Sequence, residues 1–215
     1  MMSKKILLVG GGGHCKSVLD SLIQSEQYSE ISIIDKNENI GKHVLGISVI
    51  GCDDDLIKLY ENGYHYAFVT IGSIGDATLR IKIFNKLEKI GFKVPNIVDS
   101  TSIISENVNK SYGIYIGKNA VINAGVTIGK GAIINTSSVI EHDCIVEQFS
   151  HIATGSVLCG EVHIGENTHI GASSVIKQRV KIGANTTIGM GSVVLHDIAG
   201  SIIAYGNPCK EVKSR

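Results

Sequence analysis

The chain contains no tryptophan, only two prolines and no excess of either charge: 20 basic side chains face 20 acidic ones over 215 residues. Zero net charge removes the long-range attraction that a nucleic-acid polymer or an anionic membrane surface relies on. No stretch reaches the roughly 18 consecutive apolar residues of a membrane-spanning helix. The apolar run Ile6-Leu7-Leu8-Val9, behind a basic start, stops at a glycine turn and is too short for a secretory signal. The five cysteines (Cys15, Cys52, Cys144, Cys159, Cys209) are odd in number and lack C-x-x-C spacing. A reduced, cytoplasmic protein is therefore expected, with no disulfide framework. With 43% hydrophobic and 19% charged residues, the chain is not disordered. Glycine is what abounds, at 25 residues. There is neither the G-x-y period nor the proline of collagen, so the glycines call for a positional reason, such as a repeat.

That repeat starts at Ile116. Steps of six give Ile116, Ile122, Ile128, Ile134, Ile140, Val146, Ile152, Leu158, Ile164, Ile170, Ile176, Ile182, Ile188 and Val194, all aliphatic and without insertion. Four residues after each stands a small or β-branched residue, from Ala120 and Val126 through Ser138, Cys144 and Ser150 to Ile198. Gly or Asn often follows the aliphatic position, as at Gly117, Asn123, Gly165 and Gly189. The register extends back to Val98 and Ile104, failing only at Lys110. Six matches neither a helix nor a plain strand, but it fits a short strand plus a turn. Three such sides close a coil of about 18 residues, and successive coils stack as parallel strands. Gly and Asn are expected at the corners because they tolerate positive φ. The hexads I-G-x-N-x-x and I-G-x-G-S-V resemble the hexapeptide-repeat family of left-handed parallel β-helices. The handedness, and the expectation of a trimeric acyltransferase, come from that resemblance alone.

Residues 1–95 read differently. Lys4 to Val9 reads as a buried strand, Gly10 to Gly13 as a turn, and Cys15 to Ser25 as a helix with Val18, Leu19, Leu22 and Ile23 as its apolar face. Strands over Ile31 to Ile34 and Tyr66 to Ile71 follow, then a helix from Asp76 to Ile90 closed by Gly91. This alternation predicts a small parallel α/β sheet of Rossmann-like type. A strand, a glycine turn, a helix and an acid (Asp35) ending the next strand suit a nucleotide, with backbone N–H groups on phosphate and Asp35 on ribose or base. The G-x-G-x-x-G spacing is incomplete, with Cys15 or Lys16 at its third place, which disfavours a dinucleotide. A purely structural tight turn fits the same glycines.

Two histidine groups stand out among eight. His142 and Asp143 fall at a corner, and 18 residues beyond His142 is Gly160, so an imidazole should project beside bare backbone on the next coil. A base near a nucleophile and an N–H near a carbonyl oxygen are what acyl transfer needs. Asp143 or Glu141 is placed to orient the ring. An ordinary solvent-facing corner histidine fits the same pattern. His151 and His169, also 18 apart, should stack in one column, with His163 on another side. Hexapeptide-repeat proteins resembling carbonic anhydrase bind zinc through an H-x4-H pair. That spacing is absent here, and no metal is expected.

Taken together, Lys5 to His14, Ile140-Glu141-His142-Asp143-Cys144 and Phe149-Ser150-His151-Ile152 resemble the sialic acid O-acetyltransferase and nucleotide-linked 4-amino-sugar N-acetyltransferase group. The resemblance covers essentially the whole chain. It implies His142 as general base with Asp143 assisting, and acetyl-CoA contacts from His151. It also implies a UDP-sugar held by Gly12, Gly13, His14, Asp35 and Gly72. Lys36, where many relatives carry a second acid, is expected near phosphate or uracil. Asp99-Ser100 stands where relatives often have His-Pro. The mechanism expected is direct transfer from acetyl-CoA to a 4-amino-dideoxy sugar. The cofactor would lie near His151, Ala172, Gly189 and Met190, with Gly160 as the oxyanion site and Lys210 near CoA phosphates. Rival readings are O-acetylation of sialic acid or its CMP form, and a non-catalytic nucleotide-binding scaffold. Three segments are expected: a nucleotide-sugar domain over 1–95, the β-helix over 96–200 and a tail over 201–215. Outward apolar residues such as Ile133, Val139, Ile145 and Val157 suggest a homotrimer with shared sites.

Overall fold

The computed structural model describes residues 4–214. They divide into two compact units, one running through Ser73 with Thr78–Ile97, the other comprising Ile74–Ala77 and the chain from Val98 onward.

The first unit runs β1 (Lys5–Val9), α1 (Gly13–Ser25), β2 (Glu30–Ile34), β3 (His43–Val44), β4 (Ile47–Gly51), α2 (Leu56–Glu61), β5 (Tyr66–Val69) and α3 (Thr78–Ile90). The sheet order is β3-β4-β2-β1-β5, parallel throughout except for β3 against β4. β1 lies between β2 and β5, and its run Ile6-Leu7-Leu8 is fully buried, as a strand covered on both faces requires. α1 buries Cys15, Val18, Leu19 and Leu22; Ile23, at the edge of that stripe, is exposed. Gly91 closes α3 with φ +109°, its N–H donating to the Leu87 carbonyl at 3.1 Å. The sheet order reverses at β1, with β2 on one side and β5 on the other. The crevice for a ligand therefore opens beyond the carboxyl end of β1, where the glycine turn lies.

The second unit is a stack of two-residue strands at six-residue intervals from Ile103–Ile104 to Val193–Val194. Each pairs in parallel with the strand one coil away, building three faces. The outward residues of the first face are Tyr115, Ile133, His151, His169 and Thr187. Those of the second are Ile103, Val121, Val139, Val157, Val175 and Val193. Those of the third are Asn109, Thr127, Ile145, His163 and Lys181. All fourteen aliphatic positions point inward, none more than 2% exposed. Burying each such side chain contributes about 1.5–3 kcal/mol. The small column is buried too, and its hydroxyls donate to corner carbonyls one coil on: Ser150 to Gly165 at 2.7 Å, Thr168 to Gly183 at 2.8 Å, Ser156 to Gly171 at 2.9 Å. Ser and Thr recur there because they fit the interior and satisfy those acceptors. At the end of the stack, Asn109–Lys110 pairs with Thr127–Ile128 although Lys110 breaks the pattern. Its side chain is exposed.

Positive φ falls elsewhere than expected. It belongs to the third residue after the aliphatic one: Asn119, Ser137, Asp143, Phe149, Glu161, Asn167, Ser173, Arg179 and Asn185, with Gly125, Gly131, Gly155 and Gly191 in the same place. The glycine directly after the aliphatic residue has a different reason. A Cβ on Gly165 would come within 2.5 Å of the Ala184 nitrogen, and one on Gly171 within 2.5 Å of the Met190 nitrogen. Those glycines let stacked coils approach. Residues 201–215, expected as a tail, carry a hairpin. Ile202–Gly206 extends the first face beside Thr187–Ile188, and Cys209–Ser214 folds back across a cis Asn207–Pro208 bond.

Candidate active site

His142 and Gly160 occupy the corner between the second and third faces, one coil apart. The imidazole lies on the Gly160 backbone: a Cβ on Gly160 would sit 2.5 Å from His142 Nε2 and 2.6 Å from Cε1. Only glycine leaves room for the ring in this position. Among the described residues no acceptor takes the Gly160 N–H. His142 Nδ1 is 2.9 Å from Asp143 Oδ2, and both side chains are exposed. With the proton on Nδ1 donated to Asp143, the Nε2 lone pair is free to accept another. Asp143 reaches back along its own neighbour because its backbone is left-handed, φ +59°, and Gly125 on the preceding coil leaves space for its carboxylate.

The hydrogen bond that His142 Nδ1 donates to Asp143 is the main influence raising the pKa of His142, followed by the charges of Asp143, Glu141 and Glu161. Those outer carboxylates are themselves held. Asn123 Nδ2 donates to Glu141 at 3.0 Å, and the Arg179 guanidinium pairs with Glu161 at 3.0 Å. Cys144, next along the chain, is fully buried, and burial pushes its thiol up to about 11. It offers no thiolate for a covalent acyl intermediate.

The residues assigned to acetyl-CoA lie elsewhere on the coil. His151 is on the first face, buried against His169 with ring centroids 4.9 Å apart and its Nε2 3.2 Å from Asn135 Nδ2. Ala172, Gly189 and Met190 follow at the corner between the first and second faces. Gly189 has a packing reason of its own, since a Cβ would stand 2.7 Å from Tyr205 Cβ; Met190 is 80% exposed. Within one chain, then, the His142–Gly160 corner and the Ala172–Met190 corner stand at opposite edges of the second face. The third-face histidine, His163, is tied to Glu147 at 2.7 Å. No group of metal-ligating side chains occurs among the described residues.

In the first unit, Gly12 caps α1 without a side-chain bond, and nothing within 4 Å would meet a Cβ on Gly12 or Gly13. Bare backbone at a helix N-terminus facing open space suits an anion. Asp35 faces this turn but is already engaged. Its Oδ2 accepts from Gly11 N–H at 3.0 Å and its Oδ1 from Lys36 N–H at 2.7 Å. The carboxylate thus fixes the turn to the end of β2, and Gly11 is required, since a Cβ would lie 2.7 Å from Oδ2. The Lys36 side chain is exposed. His14 packs on Gly72, where a Cβ would stand 3.4 Å away. Burial, and secondly the charge of Arg80, lower its pKa to about 4, so the ring is neutral at physiological pH. Arg80 was not anticipated. It is 3% exposed, and burial lowers it to about 10. The signal was present: Arg80 occupies the apolar stripe of α3 shared with Ile83, Phe84 and Leu87, where a charge is out of pattern.

Comparison with known proteins places these features in a family. Residues 5–87 match the PglD N-terminal domain, residues 105–130 the hexapeptide repeat of succinyl-transferase, and residues 161–196 the bacterial transferase hexapeptide of six repeats. A perosamine N-acetyltransferase from Caulobacter crescentus is 34% identical, with 100% of this chain and 99% of that chain aligned and a TM-score of 0.92. Its structure is a histidine-to-asparagine variant in complex with CoA and GDP-perosamine. The acetyltransferase domain of PglB from Neisseria gonorrhoeae, with acetyl coenzyme A, is 30% identical over 98% and 100% of the two chains, TM-score 0.91. WeeI from Acinetobacter baumannii AYE shares the fold at 24% identity, TM-score 0.85.

Proposed function

Because the chain belongs to the hexapeptide-repeat acetyltransferases in which a PglD-type domain precedes a left-handed β-helix, we propose that it transfers the acetyl group of acetyl-CoA to the amine of a nucleotide-linked 4-amino-dideoxy sugar. The observation that carries this reading is the His142 imidazole, anchored by Asp143 at Nδ1 and seated on Gly160. The Caulobacter relative, an N-acetyltransferase crystallised with CoA and GDP-perosamine, and the gonococcal domain with acetyl coenzyme A support it.

In this mechanism the sugar amine attacks the thioester carbonyl and His142 Nε2 accepts its proton. The Gly160 N–H donates to the oxygen as negative charge develops there. The C–N bond forms, the C–S bond breaks, and the departing CoA sulfur takes the proton from His142. With both substrates bound together, no acyl-enzyme is required. Asp143 keeps the ring in the accepting tautomer. The turn residues Gly12 and Gly13 hold the phosphates of the nucleotide sugar. Neutral His14 lies beside them, Gly72 gives that ring room, Lys36 lies near phosphate or base, and Asp35 fixes the turn. His151, Ala172, Gly189 and Met190 border the acetyl-CoA path. We assign the nucleotide as UDP from the sequence resemblance, and the relative's guanosine ligand makes GDP the comparison to run.

The test is a panel of UDP- and GDP-linked 4-amino sugars and CMP-sialic acid with acetyl-CoA, following free thiol release. Turnover of a UDP-4-amino sugar by the wild type is expected. In His142→Ala, kcat should fall by about 10²–10⁴ with CoA affinity retained. Full activity in that variant removes the assigned base. Turnover of the sialic acid substrate alone makes the enzyme an O-acetyltransferase.

A further inference from the structure

The glycine turn lies at one end of the first unit's sheet, and a cavity opens at the other. About 1070 Å³ in volume, it is lined by the starts of β1 and β5 and the segments that end α1, α2 and α3. The five residues of β1 place it roughly 17 Å from the glycine turn. Its wall is aromatic. Tyr60 makes edge contacts with His65 at 5.0 Å and Phe92 at 5.1 Å, and its hydroxyl lies over Gly91, where a Cβ would meet it at 3.2 Å. Tyr66 lines it as well, flanked by Tyr28 at 5.7 Å.

The charge at its rim is positive. Lys5 is neutralised by Glu30 at 2.8 Å. Lys4 and Lys93, both exposed, have no carboxylate partner among the described residues; Lys93 Nζ lies 5.9 Å from the Tyr66 ring centroid. Among the described residues Glu26 is the one acid lining the cavity, against Lys4 and Lys93 beside the paired Lys5. The helix ends do not require these ammonium groups as caps. Leu87 and Glu88 carbonyls accept from Gly91 N–H, Tyr60 accepts from Gly63 N–H, and Ile23 from Glu26 N–H. The lysines are thus free to meet an anion beside aromatic rings that offer a stacking surface.

We propose that this cavity is a second small-molecule site, taking an aromatic phosphomonoester of the nucleoside monophosphate class: its base against Tyr60 and Tyr66, its phosphate between Lys4 and Lys93. The proposal stands on the first unit alone and is independent of the transferase reading. It is tested by titrating the full chain with AMP in the presence of saturating CoA, which occupies any adenine-binding path along the β-helix. Binding is expected. Lys4→Glu/Lys93→Glu, two exposed positions, should weaken it at least tenfold while leaving acetyl transfer unchanged. Asp35→Asn, at the glycine turn, should leave AMP affinity within twofold. Ribose 5-phosphate, which keeps the phosphate and lacks the base, should bind at least tenfold more weakly than AMP. Absence of AMP binding at millimolar concentration overturns the site. So does binding lost in Asp35→Asn and kept in the double lysine variant, or equal affinity for AMP and ribose 5-phosphate.

Discussion

At the residue scale the decisive pair is Gly160 under His142. A methyl group on Gly160 would occupy space that the imidazole fills, 2.5 Å from Nε2, so Gly160→Ala must expel the ring or displace the coil. The ring is exposed and yields more easily than stacked backbone. Gly160→Ala is therefore expected to fold with little change in Tm yet lose kcat by about 10²-fold or more, the scale of a removed general base. Thermal melting beside steady-state kinetics separates the two effects. Asp143 supplies the second prediction. It raises the pKa of His142, and only the neutral ring accepts a proton, so the acid limb of kcat/KM lies above that of a free histidine. Asp143→Asn removes the carboxylate, so the limb should move to lower pH while the plateau falls through loss of ring orientation. An unshifted limb would assign it to another group. His14, held near 4, should contribute no titration between pH 5 and 8; histidine NMR resonances followed over that range check this.

At the scale of the element, one strand and one corner recur with small variations, so each position has a single physical demand. Gly171→Ala would drive a Cβ to 2.5 Å from the Met190 nitrogen, where neither partner is a flexible side chain. A destabilisation of about 1–3 kcal/mol is expected, the range for overpacking, measured by denaturant midpoint. Ile170→Ala, emptying a fully buried interior position, should cost about 2–5 kcal/mol. The sequence period carried this much of the fold because interior burial repeats every six residues without a break. The positive-φ column was only partly legible: Gly and Asn mark it at Asn119, Gly125, Gly155 and Asn167, but residues as different as Phe149, Arg179 and Asp143 adopt it under the constraint of stacking. The β3–β4 hairpin and α2 were missed because they are too short for a periodic signal. The His142–Gly160 pairing followed from 18-residue arithmetic alone. Arg80 was overlooked although a charge in an apolar stripe marked it. The role of Asp35 as a backbone anchor needed coordinates, since nothing in sequence spacing shows which N–H groups its oxygens meet.

At the scale of the whole molecule, the outward apolar residues regroup. Ile133 is buried within the chain at 2% exposure and cannot serve as an external patch, and Ile145 stands among polar residues on the third face. Val139 and Val157 instead belong to an unbroken column on the second face, Ile103, Val121, Val139, Val157, Val175 and Val193. Ile103 remains 66% and Val175 39% exposed. A stripe of six aliphatic side chains in register is a surface that association would remove from water. Its edges are the two corners assigned to chemistry, His142 with Gly160 on one side and Ala172 with Met190 on the other. A single chain holds these corners apart; a neighbour packed on the stripe would complement one copy's base with the other's acetyl-CoA path. We therefore expect a cyclic homotrimer in which each site needs two copies. Val139→Glu/Val157→Glu should yield monomers by light scattering at micromolar concentration. It should also lose acetyl transfer, although His142, Asp143 and Gly160 are untouched. Far-UV circular dichroism should remain that of the β-helix, because both side chains point away from the interior. Monomers that retain full turnover would place the complete site within one chain, and a wild type that is monomeric at the same concentration would remove the trimer.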